Sequence, residues 1–184
     1  NLISDVKFLS VEQMPYSEFE PMIPKPCTLA MAGMEPFDGK VLMALHPMLG
    51  FAIVDRILGG SGAVSTEPRP FTEIEQLITD EIVALAVTEL QKAWQTVAPM
   101  NLSLLERHTN TQLVNYVPAE EMIVVATIEA RIRETSGLFT ICYPFRVLEY
   151  LGKTLRKGSV QGADSMHLAV GDPLIRRRES PQSF

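Results

Sequence analysis

A chain of 184 residues, 46% of them hydrophobic, can bury one substantial core, which excludes disorder throughout and fits one domain, or one domain with an appendage. Its 16 basic and 22 acidic residues leave a net charge of −6, against the basic footprint that general nucleic-acid binding needs. The dense basic run Arg176-Arg177-Arg178 reads as a solvated tail, and the sequence carries no secretory signal and no apolar run long enough to span a bilayer.

Cys27 and Cys142 lie in apolar, strand-like surroundings and read as small core residues of a reducing, cytosolic protein. The start at Asn1 reads as that of a piece of something longer. Along the chain, Ser10-Val11-Glu12-Gln13 has the capping-box form, and Val11, Met14 and Phe19 predict a short helix that Pro21, Pro24 and Pro26 break. Residues 27–34 and 41–45 read as strands around a turn at Asp38-Gly39. Pro47 suits a first helical position, and a helix runs from it through Leu49, Phe51, Ile53, Val54, Ile57 and Leu58 to a stop at Gly59-Gly60.

Residues 61–71, with Pro68 and Pro70, read as a loop. Thr72-Glu73-Ile74-Glu75 is a second capping box and opens the longest helix, to about Val97. Ile74, Leu77, Ile78, Ile82, Leu85, Ala86, Ala93, Trp94 and Val97 are assigned to one broad apolar face, with Trp94 in the core. Residues 122–133 alternate: Val124, Ala126, Ile128, Ala130 and Ile132 point one way, Val125, Thr127, Glu129, Arg131 and Arg133 the other, as in a half-buried antiparallel strand. Periodicity fades after about residue 160, and the remainder reads as a linker or loosely ordered tail.

The two halves are alike. "GKVLMALHPMLGFAIVDRILGGS" and "GLFTICYPFRVLEYLGKTLRKGS" share a glycine turn, an apolar strand, a ring with a proline, a helix and a closing Gly-Ser. A strand–turn–strand–helix unit used twice predicts an α/β (α+β) fold: one central, mostly antiparallel sheet, pseudo-two-fold symmetric, with helices on its faces.

Chemical motifs are weak. A phosphate cradle opens a helix, whereas Gly59-Gly60 closes one, at an end with partial negative charge. Gly152-Lys153-Thr154 matches the end of a Walker motif, but lies inside a helical pattern with Val147 where the first glycine belongs. Ser61 lacks the strand–turn–helix setting of a nucleophile elbow, and His46, His108 and His167 are scattered without an acid partner evident in sequence. His46, before Pro47, fits the start of a helix better than a ligand set. No metal-ligand spacing occurs, so no metal, cofactor or catalytic residue is assigned. What remains is the loop itself. Three glycines in four residues exceed what a cap requires and would let another protein's backbone approach. From sequence, a cap alone and a cap that is also a contact stay level.

These stretches carry a resemblance. "LHPMLGFAIVDRILGGSG" followed by "PFTEIEQLITDEIVALAVTELQKAW" closely resembles the middle domain of the flagellar motor switch protein FliM family. That pattern runs Asp-Arg-x-x-Gly-Gly-x-Gly, loop, Phe-Thr-x-Ile-Glu, then a long helix ending in Ala-Trp. Here it is met by Asp55, Arg56, Gly59, Gly60, Gly62, Phe71, Thr72, Ile74, Glu75, Ala93 and Trp94. "SVEQMPYSEF" resembles the family's N-terminal helix of this domain, "NTQLVNYVPAEEMIVV" an Asn-x-Gln stretch with later Glu and Val, and "GLFTICYP" its final strand.

The resemblance implies a FliM middle domain over residues 1–158, with a CheC-like fold, and a linker or flexible tail over 159–184. It implies a non-enzymatic scaffold in the cytoplasmic C-ring, peripheral to the inner membrane at the flagellar basal body. The scaffold would couple chemotaxis signals to rotation direction. Contact with the FliG middle domain would fall to Asp55, Arg56, Gly59, Gly60, Ser61 and Gly62. Neighbouring FliM copies would pack alongside, and FliN and phosphorylated CheY would be engaged through the full-length protein. Many relatives carry proline where this chain has Ser61. On this reading Gly60→Asp should weaken FliG binding and barely move the melting temperature. The fold is shared with CheC-type response-regulator phosphatases, whose Glu-x-x-Asn pair positions water on an acyl phosphate. Glu81-Ile82-Val83-Ala84 has the acid, but Ala84 stands where the amide belongs, which disfavours that alternative.

Overall fold

The computed structural model describes residues 5–64, 69–109, 114 and 116–158; the expected linker or tail after 158 and the basic run at 176–178 lie outside the described residues. Six strands form one sheet: β1 (Asp5–Pro15), β2 (Thr28–Glu35), β3 (Lys40–Leu45), β4 (Asn101–His108), β5 (Met122–Ile132) and β6 (Thr135–Pro144), in the order β1-β5-β6-β3-β2-β4. All five ladders are antiparallel. Among the described residues three helices of two turns or more, α2 (Pro47–Ile57), α3 (Glu73–Gln95) and α4 (Phe145–Gly158), join a single turn α1 (Tyr16–Phe19).

The internal repeat is visible in the register. The glycines that begin the two similar stretches set Leu42 equivalent to Thr140 and Ala44 equivalent to Cys142. In the β3–β6 ladder Leu42 pairs with Cys142 and Ala44 with Thr140, while Met43 pairs with its own counterpart Ile141. The ladder therefore maps onto itself, and a pseudo-two-fold axis passes between Met43 and Ile141. Each of these strands leads directly into a helix, α2 from β3 and α4 from β6.

Residues on one sheet face, among them Ala30, Ala32, Met34, Val41, Met43, Ile141 and Tyr143, pack with Val83 and Val87 of α3 and Val147 and Leu151 of α4. At one end of that face Leu45, Ala130 and Ile132 meet Leu49, Ala52 and Ile53 of α2. The opposite face, with Leu29, Met31, Leu42, Ile123, Val125 and Cys142, is covered by Tyr16 and Phe19 of α1, Ile23 and Tyr116. Cys27 and Cys142 are free and buried, as their apolar settings predict. The Tyr116 hydroxyl donates to the Cys142 carbonyl at 2.8 Å.

Three expectations are corrected. The stretch from Ser10 to Gln13 is not a helix but part of β1, which pairs with β5 from Asp5↔Arg131 to Pro15↔Met122. A bulge between Phe8 and Ser10 shifts the phase of Val6, Phe8 and Val11. Ten cross-strand pairs outweigh a local capping signal, and the family-based N-terminal helix shrinks to the single turn α1.

Second, the apolar residues of α3 do not share one face. Thr79, Val83 and Val87 are buried, with Leu90 and Trp94 packed beside them. Ile74 and Leu77 are each 66% exposed and Leu85 is 57% exposed, about a third to half a turn away from Val83 by helical spacing. Third, β5 is covered on both faces over its first half, where Ile123 and Val125 pack under α1; only Glu129 and Arg131 onward fit the one-sided pattern. Trp94 does belong to the core, donating from Nε1 to the Tyr143 hydroxyl at 3.0 Å with the rings edge to face.

Candidate functional site

Helix α2 starts on His46, whose Nδ1 accepts the Met48 amide at 3.2 Å ahead of Pro47. Burial pushes the His46 pKa below its usual value, consistent with a neutral, accepting ring. The residue is a cap, as its position before proline suggests. The other end of α2 carries the candidate loop, and Asp55 and Arg56 each use main chain and side chain to build it.

The Gly59 amide donates to the Arg56 carbonyl at 3.2 Å and the Gly60 amide to the Asp55 carbonyl at 2.7 Å, the paired bonds of a Schellman stop. Gly59 has φ +94°, the left-handed turn that such a stop requires. The Asp55 carboxylate then accepts the Gly62 amide at 2.7 Å, and the Arg56 guanidinium donates to the Gly60 carbonyl at 3.0 Å. The motif Asp-Arg-x-x-Gly-Gly-x-Gly is thus a self-bracing clamp, and all six residues assigned from sequence, Asp55, Arg56, Gly59, Gly60, Ser61 and Gly62, are brought together.

Two of the three glycines are small because of neighbours within the fold. A β-carbon on Gly60 would fall on the Asp55 carboxylate. One on Gly62, at φ +82°, would lie 2.8 Å from Ile132 Cγ2 and 2.9 Å from Arg56 Cδ. Both glycines are required by the fold itself, so Gly60→Asp would disturb folding and cannot isolate a contact. Gly59 differs: its β-carbon would meet nothing within 4 Å. Ser61 is exposed, with its hydroxyl accepting the Ala63 amide at 3.2 Å. The outward surface of the loop is therefore Gly59 and Ser61.

Two further supports come from residues outside the motif. Thr135, beginning β6, bonds to Gly62 and Val64. Its long sequence separation gives no local signal. Arg69 forms a two-pronged ion pair with Glu75 at 2.7 and 2.8 Å while stacking over Phe51, 4.7 Å from the ring centre. Glu75 also accepts the Thr72 amide at 2.7 Å and returns its own amide to Thr72 Oγ1, completing the capping box. The Arg69 guanidinium, then the Thr72 groups, hold the Glu75 carboxyl at about 2 against the opposing effect of burial. Between this pair and Val54, Leu58 and Val64 lies a groove of about 240 Å³ beside the loop.

The remaining sequence candidates are placed elsewhere. Lys153 sits inside α4, paired with Glu149 at 2.9 Å, so Gly152-Lys153-Thr154 is helix and not a phosphate loop. His108 does have an acid neighbour that its sequence position left unnoticed, Glu106 at 3.0 Å on β4. His167 lies outside the described residues. On α3, Glu81 is exposed and Ala84 half-buried, with no amide side chain at that position. Among the described residues no cluster of three or more metal-ligating side chains occurs, and no helix is long and apolar enough to cross a membrane.

Comparison with known proteins agrees with this geometry. The family model of flagellar motor switch protein FliM matches residues 2–160. The FliM of Borreliella burgdorferi is 34% identical over 145 residues, which span 78% of this chain and 41% of that protein. The chain thus spans about two-fifths of the length of that relative. The FliG–FliM complex from H. pylori superposes with a TM-score of 0.72 at 28% identity, covering 76% of this chain and 77% of the other. The H. pylori FliM middle domain gives 0.72 at 27% identity over 84% and 82%. With its register symmetry, its clamp at the end of α2 and these matches, the chain belongs to the FliM family of flagellar motor switch proteins and corresponds to the FliM middle domain.

Proposed function

We propose that this domain is a non-enzymatic scaffold of the motor switch that presents the loop of Asp55, Arg56, Gly59, Gly60, Ser61 and Gly62 to FliG. The observation that carries this reading is the division of labour in the loop. Asp55, Arg56, Gly60 and Gly62 fix its shape from within, leaving Ser61 exposed and open space where a side chain on Gly59 would stand. A braced edge of this kind lowers the ordering cost of binding. A relative solved together with FliG supports the choice of partner.

Ile74, Leu77 and Leu85, exposed on the outward side of α3, support lateral packing against neighbouring copies. Within the full-length protein, FliN and phosphorylated CheY would bind elsewhere, at the cytoplasmic face of the basal body. Regulator binding would then shift the preferred tilt of the block, by no more than its differential affinity for the two orientations. The CheC-type phosphatase alternative is disfavoured by Ala84, which cannot orient water.

The test is a titration of FliG against Gly59→Asn and Ser61→Arg. Asparagine tolerates positive φ, and both changes add bulk outward. Binding should weaken at least tenfold with the melting temperature nearly unchanged. Wild-type affinity in both variants would place the contact on another surface. Acceleration of phosphate release from an acyl-phosphorylated regulator would overturn the scaffold reading.

A further inference from the structure

The second half of the loop is held by a residue more than seventy positions away in sequence. Chain direction reverses after Ile132 through Arg133, at φ 53°, and Thr135 begins β6. The Thr135 hydroxyl donates to the Gly62 carbonyl at 2.9 Å and accepts the Val64 amide at 3.3 Å. A hydroxyl has one proton to give and lone pairs to offer, and this one uses both kinds of bond on the same loop. Gly62 is consequently fixed on two sides, its amide by Asp55 of α2 and its carbonyl by Thr135 at the start of β6. The first of these comes from the motif itself. The second comes from the other half of the pseudo-symmetric fold.

We infer that Thr135 is a positioning residue for partner binding, holding the loop in its binding-competent shape through Gly62 and Val64. This inference rests on the reading that the loop meets FliG. A loop that occupies its competent shape only part of the time binds more weakly by that fraction. Without the hydroxyl, the Gly62 carbonyl and Val64 amide lose their partner, and the chain beyond Ser61 is released from β6.

The experiment compares the 184-residue chain with Thr135→Val, Thr135→Ala and Thr135→Ser, titrating each with FliG by calorimetry. Hydrogen exchange of the Val64 amide, followed by NMR, reports the loop directly. Thr135→Val keeps the shape of the side chain and removes both bonds, and Thr135→Ala gives a second hydroxyl-free chain should valine disturb folding. Both should bind about three- to tenfold more weakly and exchange Val64 faster, with Thr135→Ser close to wild type in each respect. Wild-type affinity in a hydroxyl-free chain whose Val64 amide exchanges faster would overturn the inference, as would unchanged exchange. A serine variant as impaired as valine would overturn it too, by pointing to the methyl group instead. Failure of the underlying reading looks different: there Gly59→Asn and Ser61→Arg bind FliG like wild type.

Discussion

The carboxylate of Asp55 occupies the space that a β-carbon on Gly60 would need, and it spends that proximity on the Gly62 amide at 2.7 Å. Replacing Gly60 by alanine must displace Asp55 and break this bond, at a cost of about 1–3 kcal/mol by the usual range for an orphaned polar group. In an Asp55→Ala background the obstruction is gone. A double-mutant cycle from urea unfolding should therefore show Gly60→Ala to be milder there, with a coupling of about 1 kcal/mol or more. Additive losses would mean that Gly60 is constrained by something other than Asp55.

His46 gives a pH dependence with a definite sign. Its Nδ1 accepts the Met48 amide, which a doubly protonated ring cannot do, and its pKa is lowered below 6.5 by burial. The unfolded chain thus binds a proton more readily than the folded one. Stability should be full above pH 6.5 and fall as pH drops through the folded pKa. His46→Asn keeps a capping oxygen without a titrating group, and should flatten the dependence in this range. Melting temperatures of both chains across neutral to mildly acidic pH check this; parallel curves would refute it.

Glu75 titrates in a lower window. Held at about 2 rather than 4.5 by Arg69 first and by Thr72 after it, it stabilises the fold as long as it is ionised. The folded value is depressed, so the contribution is complete above pH 4.5 and is lost as pH falls toward 2. The stability gap between wild type and Glu75→Gln should be widest near neutrality and narrow across that interval. A gap that does not change with pH would mean that the pair contributes by packing and hydrogen bonding alone. His46→Asn and Glu75→Gln each remove one titrating group, so comparison of the two variants with wild type assigns the two contributions.

How much of this could be read from residues alone depends on the range of the interaction. The capping box at Thr72 and Glu75, the Pro47 helix start and the stop at Gly59 are local, and each is found where its spacing predicts. The repeat was legible because both copies kept a glycine before an apolar strand, and the Met43↔Ile141 register is its structural form. Residues whose roles depend on distant partners were hidden. β1 carries a capping signature and a bulge, and its strand character comes from pairing with β5, more than a hundred residues later. Thr135 is silent for the same reason. The glycine cluster leaves a cap and a contact level in sequence, because the neighbours that constrain two of its three members, Asp55, Arg56 and Ile132, are set by the folded loop and by β5. In α3, apolar residues occur on both the buried and the outward side, so the heavily apolar sequence reads as one broad face.

That second face of α3 leads to a final test. Ile74 and Leu77 are each 66% exposed and Leu85 57% exposed, on the side away from buried Val83 and Val87, so their substitution removes no core contact. Leu77→Lys and Leu85→Lys should each change unfolding free energy by less than about 0.5 kcal/mol, as exposed positions generally do. If the stripe packs against a neighbouring copy, a lysine there must bury a charge opposite an apolar surface, and self-association weakens. Sedimentation velocity over a concentration series would read this as a loss of higher species in the double variant at unchanged melting temperature. Association that persists undiminished would move the lateral contact off α3 and leave the stripe as solvent-facing surface. A drop in stability with no change in association would instead show that α3 packs its outward leucines within its own fold.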